Sequence, residues 1–309
     1  MTMLPEGPDA NAPAPAGAAA RQRMVAIGLM SAALFLFSLL DASAKHLGET
    51  YHPAQVAWAR FAGHAVLAVV MVNPWSVPGG YRTNWPMLQL VRSVLLACTT
   101  LLNFWALQTL RLDQTITIFF TTPLLIAIIA GPMLGEWVGP RRLAAIFVGL
   151  VGVMVVTRPG IAEWQPAYLI SISSAFLYAL YSLLTRMVGS TDSSWTSFLY
   201  VPMIGTLAVM PALPGVWITP QTAFDLGLMC VLGVLGGVGH LLLIIAHRRA
   251  PAAALAPFIY LQLVWMASLG WLVFGDRPDI WTVAGAAIVV GSGLYVFLRE
   301  RKVKSATDL

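Results

Sequence analysis

The sequence predicts an all-α integral membrane protein with ten transmembrane helices, arranged as two inverted five-helix repeats. Composition is the first ground for this: 58% of the 309 residues are hydrophobic and 10% are charged, with a mean hydropathy of +0.78, whereas roughly a quarter of a soluble domain is charged. The second is segmentation. A helix crossing ~30 Å of hydrocarbon needs about 20 residues, and ten apolar stretches follow one another over residues 24–44, 53–72, 87–110, 114–134, 142–157, 166–187, 195–217, 226–246, 252–274 and 279–298. The third is internal repetition. A displacement of 140 positions lays Ala106 on Ala246 and Gly135-Glu136 on Gly275-Asp276, and one of 141 lays Lys45 on Arg186. These offsets agree on five spans per half, and an odd number forces the halves to insert in opposite senses, a recurring plan of secondary transporters.

Along the chain, residues 1–22 begin as a Pro/Ala-rich stretch with too few large apolar side chains to order itself, and are read as a disordered cytoplasmic tail. Arg21 and Arg23 then precede the first span. Ala42-Ser43-Ala44 resembles a signal-peptide cleavage site, but the run from Met24 to Leu40 is longer than a signal core of roughly 7 to 15 residues, so the segment is read as a retained helix. The second span opens at Pro53 and carries the charged stretch WARF. The fifth is the shortest and closely borders the fourth. The first repeat is placed at 23–158, the second at 159–301, and a second cytoplasmic tail at 302–309. The connections are too short to hold a soluble domain.

Orientation follows from the basic residues. With both termini in the cytoplasm, Arg21, Arg23, Arg82, Arg141, Arg142, Arg186, Arg248, Arg249, Arg299, Arg301, Lys302 and Lys304 lie on that side, against Lys45, Arg111, Arg158 and Arg277 on the other. The sequence pI near 9.5 thus reflects loop charge rather than affinity for nucleic acid. Cys98 and Cys230 both sit in apolar runs and make neither a disulfide framework nor a metal site. No cofactor and no metal ligand set is expected. HExxH, GxSxG and Walker patterns are absent, as is a pair of buried carboxylates suited to acid/base chemistry, which argues against an enzyme.

Four stretches carry a family resemblance: Pro53 to WARF in the second span, NFWALQTL at the end of the third, TITIFFTTPLLIAIIAGPMLGE in the fourth, and GDRPDIWTVAGAAIVVGSGLY leading through the tenth. Over residues 24–298 the chain resembles the EamA family of the drug/metabolite transporter superfamily, and within it the ten-helix bacterial exporters of amino acids and related metabolites, including the YddG type. The resemblance implies inverted five-helix repeats around a central cavity, an inner-membrane location and export as the direction. It fixes no substrate. The halves are not equivalent: Arg60 matches an arginine common in that family's second helix, while Tyr200 stands at its repeat position, and Pro123 has Leu263 as its counterpart.

Arg60 is the most informative residue. An arginine in hydrocarbon costs roughly 2.5 to 3.5 kcal/mol on the insertion scale and must be balanced. Asp41, near the outer end of the first span, can approach it across antiparallel neighbours; Lys45 follows Asp41 by one turn, and His64 follows Arg60 by one turn. These four are expected as one outward-side cluster. Either Asp41 neutralises Arg60 and locks the two helices together, or the surplus positive charge receives a substrate carboxylate or closes an outer gate. His64 and His240 are candidate proton carriers or hydrogen-bonded neutral groups. In GVLGGVG, before His240, Gly233 and Gly237 permit close helix approach or local unwinding.

A second constellation is aromatic and neutral: Asn103, Trp105 and Gln108 in the third span, Phe119, Phe120, Thr121 and Thr122 in the fourth, Tyr178 and Tyr181 in the sixth, and Tyr260, Gln262 and Trp265 in the ninth. Aromatic surfaces with a few polar handles suit small amphipathic ligands, and ordinary packing is the alternative use. Gly135-Glu136 and Gly275-Asp276 read as caps or loop contacts. Arg92 is expected to snorkel to headgroups or to meet anions entering from the cytoplasm. Taken together, the residues lead to the expectation of a secondary transporter exporting small amphipathic metabolites, amino acids with apolar or aromatic side chains, by alternating access. A passive channel-like facilitator or a carrier of nucleotide sugars is the alternative.

Overall fold

The computed structural model describes residues 16–307, apart from positions 74, 76, 136, 138, 159–164, 190 and 251. Twelve α-helices follow in order among the described residues: α1 Ala16–Leu47, α2 Pro53–Met71, α3 Pro86–Leu107, α4 Leu112–Phe119, α5 Thr122–Leu134, α6 Pro140–Thr157, α7 Ala167–Val188, α8 Ser194–Val209, α9 Ala223–Arg249, α10 Ala252–Leu255, α11 Leu261–Phe274 and α12 Ile280–Thr307. Proline opens α2, α3 and α6, where its missing amide would have no helical partner. Ser193 and Thr222 cap α8 and α9 with their hydroxyls. Eight helical stretches are long and apolar enough to cross a membrane, and two shorter ones, Leu143–Thr157 and Ile280–Tyr295, bring the series to ten.

Several boundaries differ from the sequence expectation. α1 begins at Ala16, inside the stretch read as a tail, because the alanine-rich segment before Arg21 favours helix. α12 runs on to Thr307, past the boundary placed at 301. The seventh span stops as an α-helix at Val209, and a 3-10 turn containing Pro211 and Pro214 follows. Residues 1–15 and Glu136 lie outside the described residues.

The fourth and ninth spans are both broken. Pro123 has no amide for the carbonyl of Phe119, and the hydroxyls of Thr121 and Thr122 donate to the carbonyls of Ile118 and Phe119 at 2.7 and 2.6 Å. The turn so formed separates α4 from α5. In the ninth span α10 gives way to a 3-10 turn, Ala256–Tyr260, which carries Pro257 and leads into α11. The breaks at Phe120 and Tyr260 lie 140 positions apart, and their rings meet edge to face with centroids 5.0 Å apart. Both spans also end on a left-handed glycine, Gly135 at φ 74° and Gly275 at φ 72°, again 140 positions apart.

Packing repeats the same relation. α3 lies on α7 as α9 lies on α1, α3 on α8 as α9 on α2, and α5 on α7 as α11 on α1; α2 meets its equivalent α8, and α6 meets α12. A close crossing joins α2 to α9. A Cβ placed on Gly63 would stand 3.0 Å from the Gly233 Cα, so the two backbones touch. α9 is continuous here, so GVLGGVG serves close approach and not unwinding.

The alternating helices put both chain termini at one end of the bundle, called the terminal end below. There Asp192, between α7 and α8, binds the connection between α2 and α3: it accepts from the Asn84 N–H at 3.0 Å, from Thr83 and from Gln89 at 2.9 Å. Burial pushes the Asp192 carboxyl up, but these hydrogen bonds outweigh it and hold the group below the usual carboxylate range.

Two outcomes follow. Gly233→Val should force α2 off α9 and cost roughly 1–3 kcal/mol by overpacking, seen as a lowered unfolding midpoint in detergent; Gly28→Val, where a Cβ meets nothing within 4 Å, is the matched control. Because the Asp192 value is lowered by folding, its stabilisation is present above the usual carboxylate range and fades as pH falls through the lowered value. Asp192→Asn should therefore reduce stability at neutral pH and flatten this acid dependence in pH-resolved melting curves.

Candidate functional site

Small residues on α9 make room for the site. Gly236 faces Leu40 and Arg60, Gly237 faces Leu67 and His64, and Gly239 faces the ring of Phe37; an added Cβ at Gly239 would stand 2.7 Å from that ring. Larger side chains would expel these groups from the bundle centre. A central cavity of about 140 Å³ results, walled by Phe37, Leu40, Asp41, Arg60, Leu96, Thr99, Thr100, Asn103, Phe104, Phe119, Tyr178, His240 and Gln262. Below it, towards the terminal end, a pocket of about 220 Å³ is lined by His64, Arg92, Tyr181, Thr185, Asp192, Ser197, Phe198 and again His240.

The charged groups are arranged differently from the single outward cluster read from the sequence. Arg60 is buried, its Nη1 donates to Thr100 Oγ1 at 2.8 Å, and its Nε has no partner. Asp41 accepts from Asn103 Nδ2 at 3.2 Å through one oxygen. Both line the cavity, and among the described residues no direct ion pair joins them. Lys45 leaves the cluster altogether. It donates to the Leu107 carbonyl at the end of α3 at 3.4 Å and to the Leu110 carbonyl just beyond it at 2.9 Å, and lies 3.9 Å from Asp276.

His64 and His240 form the partition between the two spaces. Their rings stack at 5.7 Å, with Phe37 edge-on to His240 at 5.0 Å and Phe198 edge-on to His64 at 4.9 Å. On the facing wall Phe119, Tyr178 and Tyr181 follow in contact, with centroids 4.8 and 5.5 Å apart. The Arg92 guanidinium lies 5.7 Å from the Tyr181 ring. Arg92 does not snorkel: it is 1% exposed and donates to Gln89 Oε1 at 2.8 Å, to Thr185 Oγ1 and to the Ser197 carbonyl. Gln89 also donates to Asp192, so the carboxylate balances this arginine through one amide.

Of the residues singled out by sequence, Asp41, Arg60, Asn103, Phe119, Tyr178, His240 and Gln262 meet at the central cavity, and His64, Arg92 and Tyr181 at the pocket below. The others lie elsewhere. Trp105 is 46% exposed beside His52, and Gln108 donates to the Gly48 carbonyl, both at the end opposite the termini. Phe120 and Tyr260 pack on each other at the helix breaks, where Thr121 also sits; Trp265 packs against Phe35. Thr99, Thr100 and Phe37 escaped notice, although Thr99 lies one turn before Asn103, and Phe37 one turn before Asp41, on the same helix faces.

The opposite end is tied across the repeats. Arg158 meets Asp279 at 2.8 Å, Arg111 meets Asp113 at 3.1 Å and Asp279 at 3.8 Å, and Arg111 also donates to Thr282. Asp113, just ahead of the span read from the sequence, proves buried in the first turn of α4. Burial raises the Asp279 carboxyl, but hydrogen bonds from Thr282 and the charges of Arg111 and Arg158 outweigh it and keep the group below the usual carboxylate range.

The comparisons with known proteins agree with this architecture. The chain is similar to the S-adenosylmethionine uptake transporter of Rickettsia bellii, 28% identical over 88% of this chain and 94% of that one. It is 31% identical to the riboflavin transporter of Rhizobium johnstonii over 72% of this chain and 73% of that one. The pseudopaline exporter of Pseudomonas aeruginosa is 24% identical over 84% and 90% respectively. A solved crystal structure superposes with a TM-score of 0.62 at 18% identity, over 93% of this chain and 99% of that one, which shows the shared fold. The EamA-like transporter family matches twice, over residues 24–158 and again over 165–298, once in each half. A multi-pass bundle of two such repeats, closed around a polar and aromatic cavity, belongs to the EamA-like transporter family.

Proposed function

We propose that this transporter is a secondary carrier of small amphipathic metabolites that bear a carboxylate, amino acids with apolar or aromatic side chains among them, and that it works by alternating access in the bacterial inner membrane. The observation that carries this reading is Arg60, a guanidinium inside a span, on a cavity wall, hydrogen-bonded to a neutral threonine and with no carboxylate against it. Such a charge is costly in apolar surroundings, and a substrate carboxylate offers a bidentate partner. The rings of Phe119, Tyr178 and Tyr181 suit the apolar body of the same molecule. S-adenosylmethionine, named for one group of relatives, joins an amino-acid head to a flat ring system. Riboflavin, named for another, is flat and lacks a carboxylate, so a cargo of that kind would leave Arg60 dispensable.

With the termini in the cytoplasm, as the loop charges favour, the lower pocket faces inward and the Arg111–Asp279–Arg158 network closes the outer side. One closed end supports alternating access over a continuous pore. A carrier driven by its substrate's own gradient runs either way, and export follows where the metabolite accumulates inside.

Counterflow of labelled amino acids in proteoliposomes tests the reading. Saturable counterflow is expected, with folded Arg60→Ala raising KM about 10-fold or more, the scale of a charge-assisted hydrogen bond of roughly 1.5–3 kcal/mol; undiminished transport by that variant would sink it. Combined Asp276→Asn and Asp279→Asn should open the outer side. A cysteine at position 96, in a Cys98→Ser, Cys230→Ser background, should then react faster with an impermeant thiol reagent added outside.

A further inference from the structure

Two side chains of opposite charge line the central cavity and do not meet. Each is held by its own neutral partner on α3, Asp41 by Asn103 and Arg60 by Thr100. These partners lie three positions apart, or ~4.5 Å along the helix. Inside a span an acid and a base gain most by direct contact, since each alone pays the full cost of desolvation. Here α3 separates them instead. Both keep unused capacity: among the described residues Asp41 Oδ2 accepts no hydrogen bond, and Arg60 Nη2 donates none. Gly236 lies against Arg60, where an added Cβ would stand 3.6 Å from Nε.

We propose that the gap between Asp41 and Arg60 binds the zwitterionic head of an α-amino acid, its ammonium on Asp41 and its carboxylate on Arg60. Asp41 is then a specificity-determining residue that separates amino acids from carboxylates lacking the amine. The proposal rests on the reading of Arg60 as the carboxylate partner and adds the second charge. A zwitterion matches both groups at once and brings no net charge into the span. A molecule with one of the two charges leaves the other protein group buried and unmatched, which is how a polar site rejects an analogue that lacks one polar group. The body attached to the head lies along Phe119 and Tyr178, which line the same cavity.

The test compares phenylalanine and leucine with analogues that share their bodies: 3-phenylpropionate and 4-methylpentanoate, which lack the amine, and phenethylamine and isoamylamine, which lack the carboxylate. Each competes with labelled phenylalanine or leucine for counterflow by the full-length protein in proteoliposomes. Wild type should prefer the amino acid over either analogue by at least ~10-fold. Asp41→Asn should bring the amino acid and the plain carboxylate to within about threefold of each other, and Arg60→Gln should do the same for the amino acid and the plain amine. Because the readout is a ratio, a variant of reduced activity still reports. Thermal stabilisation of the wild type by the same compounds needs no variant, and an amino acid that stabilises no better than its truncated analogues overturns the proposal. Plain carboxylates carried as well as amino acids would overturn it while leaving a carboxylate carrier standing. An unchanged ratio in folded Asp41→Asn overturns it too, and failure of every carboxylate to bind or flow removes the underlying reading of Arg60 as well.

Discussion

The glycine face of α9 is the constraint on which the rest of the site depends. Without water in the hydrocarbon, helices associate through packing and internal hydrogen bonds, and small residues set how closely their backbones approach. Gly233 against Gly63 brings α2 onto α9, while Gly236, Gly237 and Gly239 leave room for Arg60, His64 and Phe37. The cavity exists because side chains are missing from one helix, and the charged and aromatic groups of α1 and α2 occupy the space. A helix of leucines at those positions would satisfy the membrane equally well and would bury no arginine.

Symmetry and its violation divide the work. The backbone obeys the repeat closely: broken spans at Phe120 and Tyr260, left-handed glycines at 135 and 275, and equivalent packing of α3 on α7 and α9 on α1. The side chains do not. Tyr200, at the repeat position of Arg60, donates to the Tyr81 carbonyl at the terminal end, and nothing on α8 mirrors the arginine. The frame is thus pseudo-symmetric while the lining of the cavity is not.

Charge is handled by three devices in the same molecule. At the end opposite the termini, Arg111 and Arg158 pair directly with the partly exposed Asp279, and Arg111 also with the buried Asp113. Arg92, deeper in the bundle, is balanced through Gln89 by Asp192, which itself takes hydrogen bonds from the α2–α3 connection. Among the described residues Arg60 has one hydrogen-bond partner, Thr100, and its guanidinium lies 4.6 Å from the Phe61 ring. Paired and relayed charges hold elements together, and the arginine without a carboxylate ion pair among the described residues lines the central cavity.

The sequence by itself determined the membrane class, the count of spans and the repeat offset, because hydrophobic run length and positional self-similarity are one-dimensional quantities set by bilayer thickness and by the duplicated unit. It also singled out Arg60, since a charge within an apolar run stands out without knowing what surrounds it. Only the tertiary structure decided which polar residues share a cavity. Asp41 and Lys45 lie one turn apart on one helix, yet Asp41 turns to Asn103 while Lys45 turns to the carbonyls of Leu107 and Leu110 and to Asp276. Trp105 and Gln108 sit on the same span as Asn103 but near its end, beyond the cavity. Those choices depend on which neighbour each helix face meets and at what depth, and that is fixed by contacts such as Gly63 on Gly233, between residues far apart in the chain.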